Sequence, residues 1–448
     1  MEFDFLVVGS GLCGSLAARH LEDSGRSVLV LEAGPALPAR LLPGTVRGFQ
    51  RAVAPIVEAT GSQWSYRAPK GFQWHRVRAR GGRTLLWGGW MERPTADYFE
   101  ARRKLGAPWP RHLSRLRPWI RRAEEMLFVR PGKATALHRR LSDLGFAADV
   151  KRGCVLPTQP RMLTAADLRL GNKVRCDAPV RHLESRPNGV LAHLCDGDAV
   201  TARRVMLAAS PIETARIVES SLVPSLRRNR LTFADHLIAG AIAIAPRQPF
   251  TPHPRGAAEA SAVIHPEPTA GLRFTLEVRG PTPLEHLDPD DLAALGFTAK
   301  QAAQHSFYVV FAMGETDAFV PRELQLMPRV HDALGRATPR FVHRRHTVTE
   351  RRLAQQMNER CLEIANELAQ TPEHRFLIYD ALDFSSGGHE VGTCVERVSK
   401  SGEVLELPGV YIADGAAVPA ATDRHPSLTL AANALRVAEA AKGSLCRN

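Results

Sequence analysis

A histidine, an aspartate and a proline near the end of the chain could do chemistry together. They lie in Val410-Tyr411-Ile412-Ala413-Asp414-Gly415-Ala416 and His425-Pro426-Ser427-Leu428-Thr429, ahead of an Ala/Leu-rich run to Ala441. The pattern predicts a short buried strand, a loop and a buried helix. Pro426 suits the first helical position, because its fixed φ is helical and the N–H it lacks would be unpaired there. His425 is then the N-cap. The free N–H groups behind it carry partial positive charge and make a ready anion site. One stretch therefore offers an imidazole, an anion hole and the Asp414 carboxylate. An imidazole titrating near neutrality can take a proton from a hydroxyl. Taken alone, the stretch fits a plain core strand and helix with a surface histidine better.

The N-terminus supplies elements that such chemistry needs. Phe5-Leu6-Val7-Val8 is a continuous apolar run, as in a strand buried on both faces. Gly9-Ser10-Gly11-Leu12-Cys13-Gly14 follows, and then Leu16, Ala17, His20 and Leu21 at helical spacing. Ser27-Val28-Leu29-Val30-Leu31-Glu32 is a second buried strand ending in an acid. This is the βαβ dinucleotide fingerprint. Gly9 makes the tight turn, Gly11 lets a pyrophosphate approach the backbone, and Gly14 lets helix and strand pack closely. Glu32 stands where an acid accepts hydrogen bonds from a ribose. The fingerprint does not separate NAD from FAD. A second segment, Arg80-Gly81-Gly82-Arg83-Thr84-Leu85-Leu86-Trp87-Gly88-Gly89-Trp90-Met91, sets glycines around tryptophans, which lets backbone approach a flat ligand.

Composition narrows the classes. A chain of 448 residues with 44% hydrophobic content can bury a large core in two or three lobes. The formal net charge is +13, but the basic residues are scattered in pairs such as Arg102-Arg103 and Arg344-Arg345. No basic tail, zinc spacing or RNA-binding signature accompanies them, so nucleic acid is not the expected partner. The 7 cysteines are far apart and odd in number, which fits reduced thiols in a cytoplasmic enzyme. No metal-ligand spacing is present. The first residues do not read as a signal peptide, and no run is long enough to span a bilayer.

Beyond these motifs, the chain resembles the glucose-methanol-choline (GMC) family of FAD-dependent oxidoreductases. The fingerprint, the Gly-Gly…Trp-Gly-Gly segment and the C-terminal stretch match in order. Trp109-Pro110 through Ala123-Glu124-Glu125-Met126-Leu127 is similar to the family's helical segment. Leu207-Ala208-Ala209-Ser210-Pro211-Ile212-Glu213-Thr214-Ala215-Arg216 resembles its second signature, and Asp235-His236 the "Asp-His" that follows. The match is weakest from about residue 131 to 175 and from 247 to 310. Ser386-Gly387-Gly388-His389-Glu390-Val391-Gly392-Thr393-Cys394 resembles the family's His-x-x-Gly-Thr motif, whose histidine faces the flavin. His425 stands at the family's second position, an Asn or a His before Pro.

The resemblance implies the following expectations. The fold is α/β, a Rossmann-like FAD-binding domain with a second, substrate domain built on an antiparallel β-sheet backed by helices. The FAD-binding domain takes residues 1–235 and 385–448, with a helical insertion at about 100–150, and the substrate domain takes 236–384. Ala239 to Ala245, Ala260 to Ile264, Leu272 to Val278 and Phe307 to Met313 are the β-rich runs of that domain. Thr347-x-x-Glu350 is a capping box, and Leu353, Met357, Cys361, Ile364 and Leu368 form one helical face. His389 is the catalytic base and His425 the second hydrogen-bond partner of the substrate oxygen, with the roles open to exchange. Gly81, Gly82, Trp87 and Gly88 lie at the flavin, Val180 at the adenine, Glu32 at its ribose and Asp414 at the ribityl or pyrophosphate part. Pro426 opens the helix whose N–H groups face the flavin edge. Members with covalent FAD carry a histidine where this chain has Leu86, so the FAD is expected to be non-covalent. The Cys-rich insertion of some relatives is missing near residue 160. Glu390, beside the base, either tunes it or is solvated.

The expected reaction is oxidation of a CH–OH group of a polar alcohol, sugar or sugar-derived intermediate to a carbonyl. Oxygen, a quinone or a protein would take the electrons onward. Three rivals remain: a redox-silent lyase of the hydroxynitrile-lyase kind, a nucleotide-binding protein without turnover, and an NAD enzyme, which the C-terminal segment opposes.

Overall fold

The structure is a computed structural model. It describes residues 3–37, 66–70, 72, 74, 76–85, 87–103, 113–154, 163–168, 173–249, 261–268, 271–287, 289–369, 375–383 and 388–445. Leu86, Trp109, Pro110, Ser386, Gly387 and the segment near residue 160 lie outside the described residues.

The apolar runs near the two ends of the chain and four strands between residues 174 and 207 build one mixed sheet. Its order is Val174–Arg175, Val28–Leu31, Phe3–Val8, Ala199–Leu207, Gly189–Leu194 and Val180–Arg186, with Val410–Ile412 added alongside Ala199–Leu207. Phe3–Val8 runs parallel to Val28–Leu31 and to Ala199–Leu207, and Val410–Ile412 is parallel to the latter. Val174–Arg175 is parallel to Val28–Leu31, and Val180–Arg186 and Gly189–Leu194 form an antiparallel meander with Ala199–Leu207. The register aligns Val8 with Leu31 and Leu207, and Leu207 with Ile412. Gly9, Glu32, Ala208 and Ala413 therefore leave the sheet at one edge, the carboxyl ends of parallel strands, where open α/β sheets bind ligands. The helix Leu12–Asp23 follows the first strand, and the last helix, Ser427–Leu445, joins it in one core. Cys13, Ala17 and Leu21 share that core with Ala434, Val437, Ala438 and Ala441.

A second, antiparallel sheet comes from mid-chain. Its order is Arg375–Tyr379, Leu237–Pro246, His305–Gly314, Phe274–Pro283, Ser261–Ile264 and Asp149–Val150. One face carries Ala239, Ala241, Ala243, Leu276, Val278 and Val310, and it packs on Leu353, Met357, Cys361, Ile364 and Leu368 of the helix Val348–Ala369. The capping box forms: Glu350 N–H donates to Thr347 Oγ1 at 3.2 Å, and Thr347 N–H donates to Glu350 Oε2 at 2.8 Å. Arg230–Phe233, Arg322–His331 and Ala337–Val342 form a separate small sheet, whose Leu231, Phe233, Leu324, Leu326 and Phe341 share the core of the mixed sheet. Helices Ala96–Arg103, Leu113–Met126 and Ala136–Asp143 lie between the fingerprint region and the strand that begins at Val180. No helix among the described residues is long and apolar enough to cross a membrane.

Candidate active site

The fingerprint turn shows why three glycines stand there. Gly9 has φ +101°, and a Cβ on it would lie 2.4 Å from the Ala208 carbonyl oxygen. A Cβ on Gly14 would lie 1.9 Å from the Gly9 oxygen. Gly11 is different: a Cβ there meets nothing within 4 Å, so this backbone borders open space at the start of a helix. That is the cradle a pyrophosphate needs. Gly82 comes to the same place, since its Cβ would approach Gly11 Cα at 3.2 Å. Gly81 N–H donates to Ser10 Oγ at 3.0 Å. Glu32 ends its strand beside both. Its carboxylate accepts from Ser10 N–H at 3.0 Å, Ser10 O–H at 2.6 Å and Gly34 N–H at 3.0 Å. Burial pushes the Glu32 carboxyl above the usual range against these bonds. Ala178 N–H donates to the Glu32 carbonyl at 2.9 Å, which brings the Val180 segment alongside. The Val180 side chain itself is buried in the core of the mixed sheet.

The flavin-loop candidates hold fixed positions. Trp87 donates its Nε1–H to the Leu163 carbonyl at 2.9 Å, and a Cβ on Gly88 would touch the Trp90 ring at 3.4 Å. Asp414 is buried, and burial pushes its carboxyl up to about 6. It accepts from Thr214 Oγ1 at 2.6 Å and from Ala416 N–H at 2.9 Å, so its side chain fastens the loop after the last strand.

Three histidines converge beside these elements. The His389 and His425 rings lie 5.1 Å apart between centroids, nearly perpendicular. His236 lies 5.1 Å from His389 on the other side. The Asp235 carboxylate accepts from the backbone N–H of His236 at 2.8 Å and from that of His389 at 3.3 Å, and so ties two distant segments together. Burial acts to raise the Asp235 pKa, but Arg322 and the two histidines prevail and hold it low. The His425 imidazole is held well below its ordinary pKa, by burial first and then by His389, Lys151, His236 and Arg279.

Two expectations need correction. Leu430 N–H donates to the Pro426 carbonyl at 2.8 Å and the helix begins at Ser427, so Pro426 is the N-cap and His425 precedes it. A proline lacks an N–H to pair at either slot, so its presence does not fix the helix start to one residue. Glu390 is not solvated. Its carboxylate is buried and receives Arg83 at 2.7 Å.

A small pocket opens at His425. Trp90, Phe311 and Met313 give it apolar walls, and Thr275, Glu92, Glu277, Asp423 and Arg424 are its polar ones. Strand alternation makes this wall. Phe274, Leu276 and Val278 face the helix-covered core, so Thr275 and Glu277 point the other way, opposite Met313 and Phe311 of the paired strand. Sequence reasoning missed this face, and the signal was a polar set alternating with apolar residues inside a buried strand. It also missed Trp90, whose ring lies 4.5 Å from His425. Among the described residues no acceptor meets the buried Trp90 Nε1–H.

With this geometry in place, the comparisons fit it. The FAD dependent oxidoreductase family (DAO) matches residues 4–257, and the chain belongs to that family. Its cofactor is FAD. The residues present fit that group: an open cradle at Gly11, a helix N-terminus and an acid at the second strand. A crystal structure of pyridoxine 4-oxidase from Mesorbium loti is similar in fold, with a TM-score of 0.70 over 98% of this chain and 98% of that one, at 16% identity. No curated protein matches the chain.

Proposed function

We propose that the chain oxidises the CH–OH group of a small polar alcohol, sugars and their derivatives included, to a carbonyl, as a GMC-type enzyme. The observation that carries this reading is the pair of imidazoles 5.1 Å apart, one of which lines the pocket. FAD, when bound, supplies the hydride acceptor. His389 takes the hydroxyl proton, and His425 hydrogen-bonds the substrate oxygen. The charges around the pair favour this division. The Asp235 carboxylate lies beside His389, whereas burial, then His389, Lys151, His236 and Arg279, disfavour a cation at His425. The pocket favours a polar substrate: Thr275 and the carboxylates can bind hydroxyl groups. The structural neighbour is called a pyridoxine 4-oxidase, a name that accords with an oxidation of this kind.

In the same reading Gly9, Gly11 and Gly14 hold the pyrophosphate, and Glu32 the ribose. Gly81, Gly82, Trp87 and Gly88 line the flavin, the backbone at Val180 the adenine, and the loop at Asp414 the ribityl chain. The helix capped by Pro426 faces the flavin edge with its N–H groups. Residues 1–235 and 385–448 form the cofactor half, and 236–384 the substrate half. The FAD is non-covalent, since Leu86 has no nucleophile.

The test is an anaerobic spectrum of the FAD-loaded protein against a panel of alcohols and sugars. Bleaching by one of them, with an aldehyde or ketone as product, is expected. A compound cleaved to a carbonyl with the flavin spectrum unchanged would instead establish a redox-silent lyase.

A further inference from the structure

Behind the pocket wall stands a buried ammonium that no motif marks. Lys151 lies between the strands Asp149–Val150 and Arg152–Cys154, with its side chain fully buried. Its Nζ sits 3.3 Å from the centroid of the Trp90 ring and donates to Glu277 Oε1 at 3.1 Å. Glu277 is also paired with Arg279, so the carboxylate has two cations. The indole that lies over the ammonium meets the His425 ring at 4.5 Å. A cation–π contact out of water is stronger than one at a surface and fixes the ring's plane.

We propose that Lys151 is a positioning residue of this site: its ammonium, clamped between the Trp90 indole and Glu277, holds the indole against His425 and keeps that imidazole uncharged. The inference concerns the site of the proposed oxidation and rests on that placement of His425. Other charges face the same ring. His389, His236 and, from the antiparallel sheet, Arg279 act on it as Lys151 does. Glu92, Glu277, Asp423 and Arg424 line the pocket with it. Arg424 lies 3.7 Å from Glu92 and 3.6 Å from Asp423, which balances part of that negative charge. Glu277 is balanced by Arg279 even without Lys151, so removing Lys151 leaves no unpaired buried carboxylate. Burial lowers the pKa of Lys151, and the Glu277 carboxylate opposes it. The contact to a carboxylate and to an aromatic face is the one an ammonium makes.

The two ring contacts place Nζ no more than about 8 Å from the His425 ring centre. At an effective dielectric near 20, a unit charge at that distance shifts an imidazole by roughly one to two pH units. The shift can be read without turnover. In FAD-loaded protein carrying 13C at histidine Cε1, the His425 resonance is assigned by its loss in His425→Asn. Its titration is then followed by NMR in wild type, Lys151→Met and Lys151→Arg. In wild type the resonance should stay at its neutral position through the range where an ordinary histidine titrates. In Lys151→Met the midpoint should rise by roughly one to two pH units into the measurable range. Lys151→Arg, which keeps the charge, should follow wild type.

FAD absorbance and thermal melting report folding. If Lys151→Met binds no FAD, Lys151→Gln replaces it, because its amide still donates to Glu277. A neutral variant whose His425 titrates as in wild type overturns the proposal. So does an arginine variant that shifts as far as the methionine one, since packing alone would then explain the effect. Substrate plays no part in this readout, so its failure and that of the oxidation reading are distinguishable.

Discussion

Glu32 holds the protein together before it holds any cofactor, and replacing it separates the two roles. In Glu32→Ala the buried N–H groups of Ser10 and Gly34 lose the acceptor they meet at 3.0 Å. Each such orphan costs about 1–3 kcal/mol, so the apoprotein should lose about 2–6 kcal/mol. Ser10 O–H can turn to another acceptor and adds little. Glu32→Gln keeps one carbonyl oxygen for Gly34 but turns an amide NH2 toward Ser10 N–H, so it should fall between wild type and alanine. Urea denaturation of the three apoproteins measures this order. The second role appears when FAD is titrated into folded apoprotein. Loss of the charge-assisted bonds to the ribose should weaken binding by about 1.5–3 kcal/mol. An alanine apoprotein as stable as wild type would refute the anchoring argument. Wild-type FAD affinity in that variant would remove Glu32 from the ribose.

Acid precipitation of the holoprotein should release FAD to the supernatant; colour retained in the pellet refutes non-covalent binding. His389→Ala should slow flavin reduction by roughly 100- to 10,000-fold with near-normal FAD content, the usual loss for a general base. A wild-type rate in stopped flow moves the base elsewhere. His425→Asn keeps a donor for the substrate oxygen and should retain measurable flavin reduction, whereas His425→Ala should lose most of it. Neither change removes a helix cap, because Pro426 carries that position, so equal full activity of both would take His425 out of the site. Glu350→Gln should lower stability at neutral pH by about 3 kcal/mol, as expected for breaking a buried ion pair. Burial acts to raise the Glu350 pKa, but bonds from Arg344, His346, Thr347 and Asp317 depress it strongly. Its contribution is therefore present above the ordinary glutamate range and lost as pH falls below about 4. Wild type and variant should converge in stability toward acid, and a pH-independent gap in urea melts would refute the ionic origin.

Short-range patterns carried the legible part of the fold. Two apolar runs, a helical stripe and glycines at fixed spacing specify the unit from Phe3 to Leu31, because every contact in it is close in sequence. The Thr347–Glu350 box and the stripe from Leu353 to Leu368 are local in the same way. The rest depended on pairs far apart in the chain. Nothing near Lys151 announces Glu277, and nothing near His425 announces Trp90. The start of the last helix was misplaced by one residue because proline satisfies two adjacent slots equally. Glu390 was ambiguous because its partner, Arg83, lies in a different segment altogether.

Arg83 shows why the glycine segment and the histidine loop cannot be treated as separate motifs. Its guanidinium donates to the Gly388 carbonyl, to Glu390 Oε2 at 2.7 Å and to Ser210 Oγ at 3.3 Å. Ser210 has φ +84°, a conformation an L-residue holds only when its surroundings impose it. Pro211 follows it at the start of its helix, and Thr214 on that helix reaches Asp414. A single charged group thus links the segment beside Gly11, the turn after Leu207 and the residue before His389. Asp235 completes the link from the other side by accepting the His389 N–H. The peptide joining Gly388 to the proposed base is therefore held at both ends by charges, its carbonyl by the partly exposed Arg83 guanidinium and its N–H by the buried Asp235 carboxylate. A base fixed in this way keeps its geometry relative to a cofactor bound at the glycines, because the same arginine belongs to both.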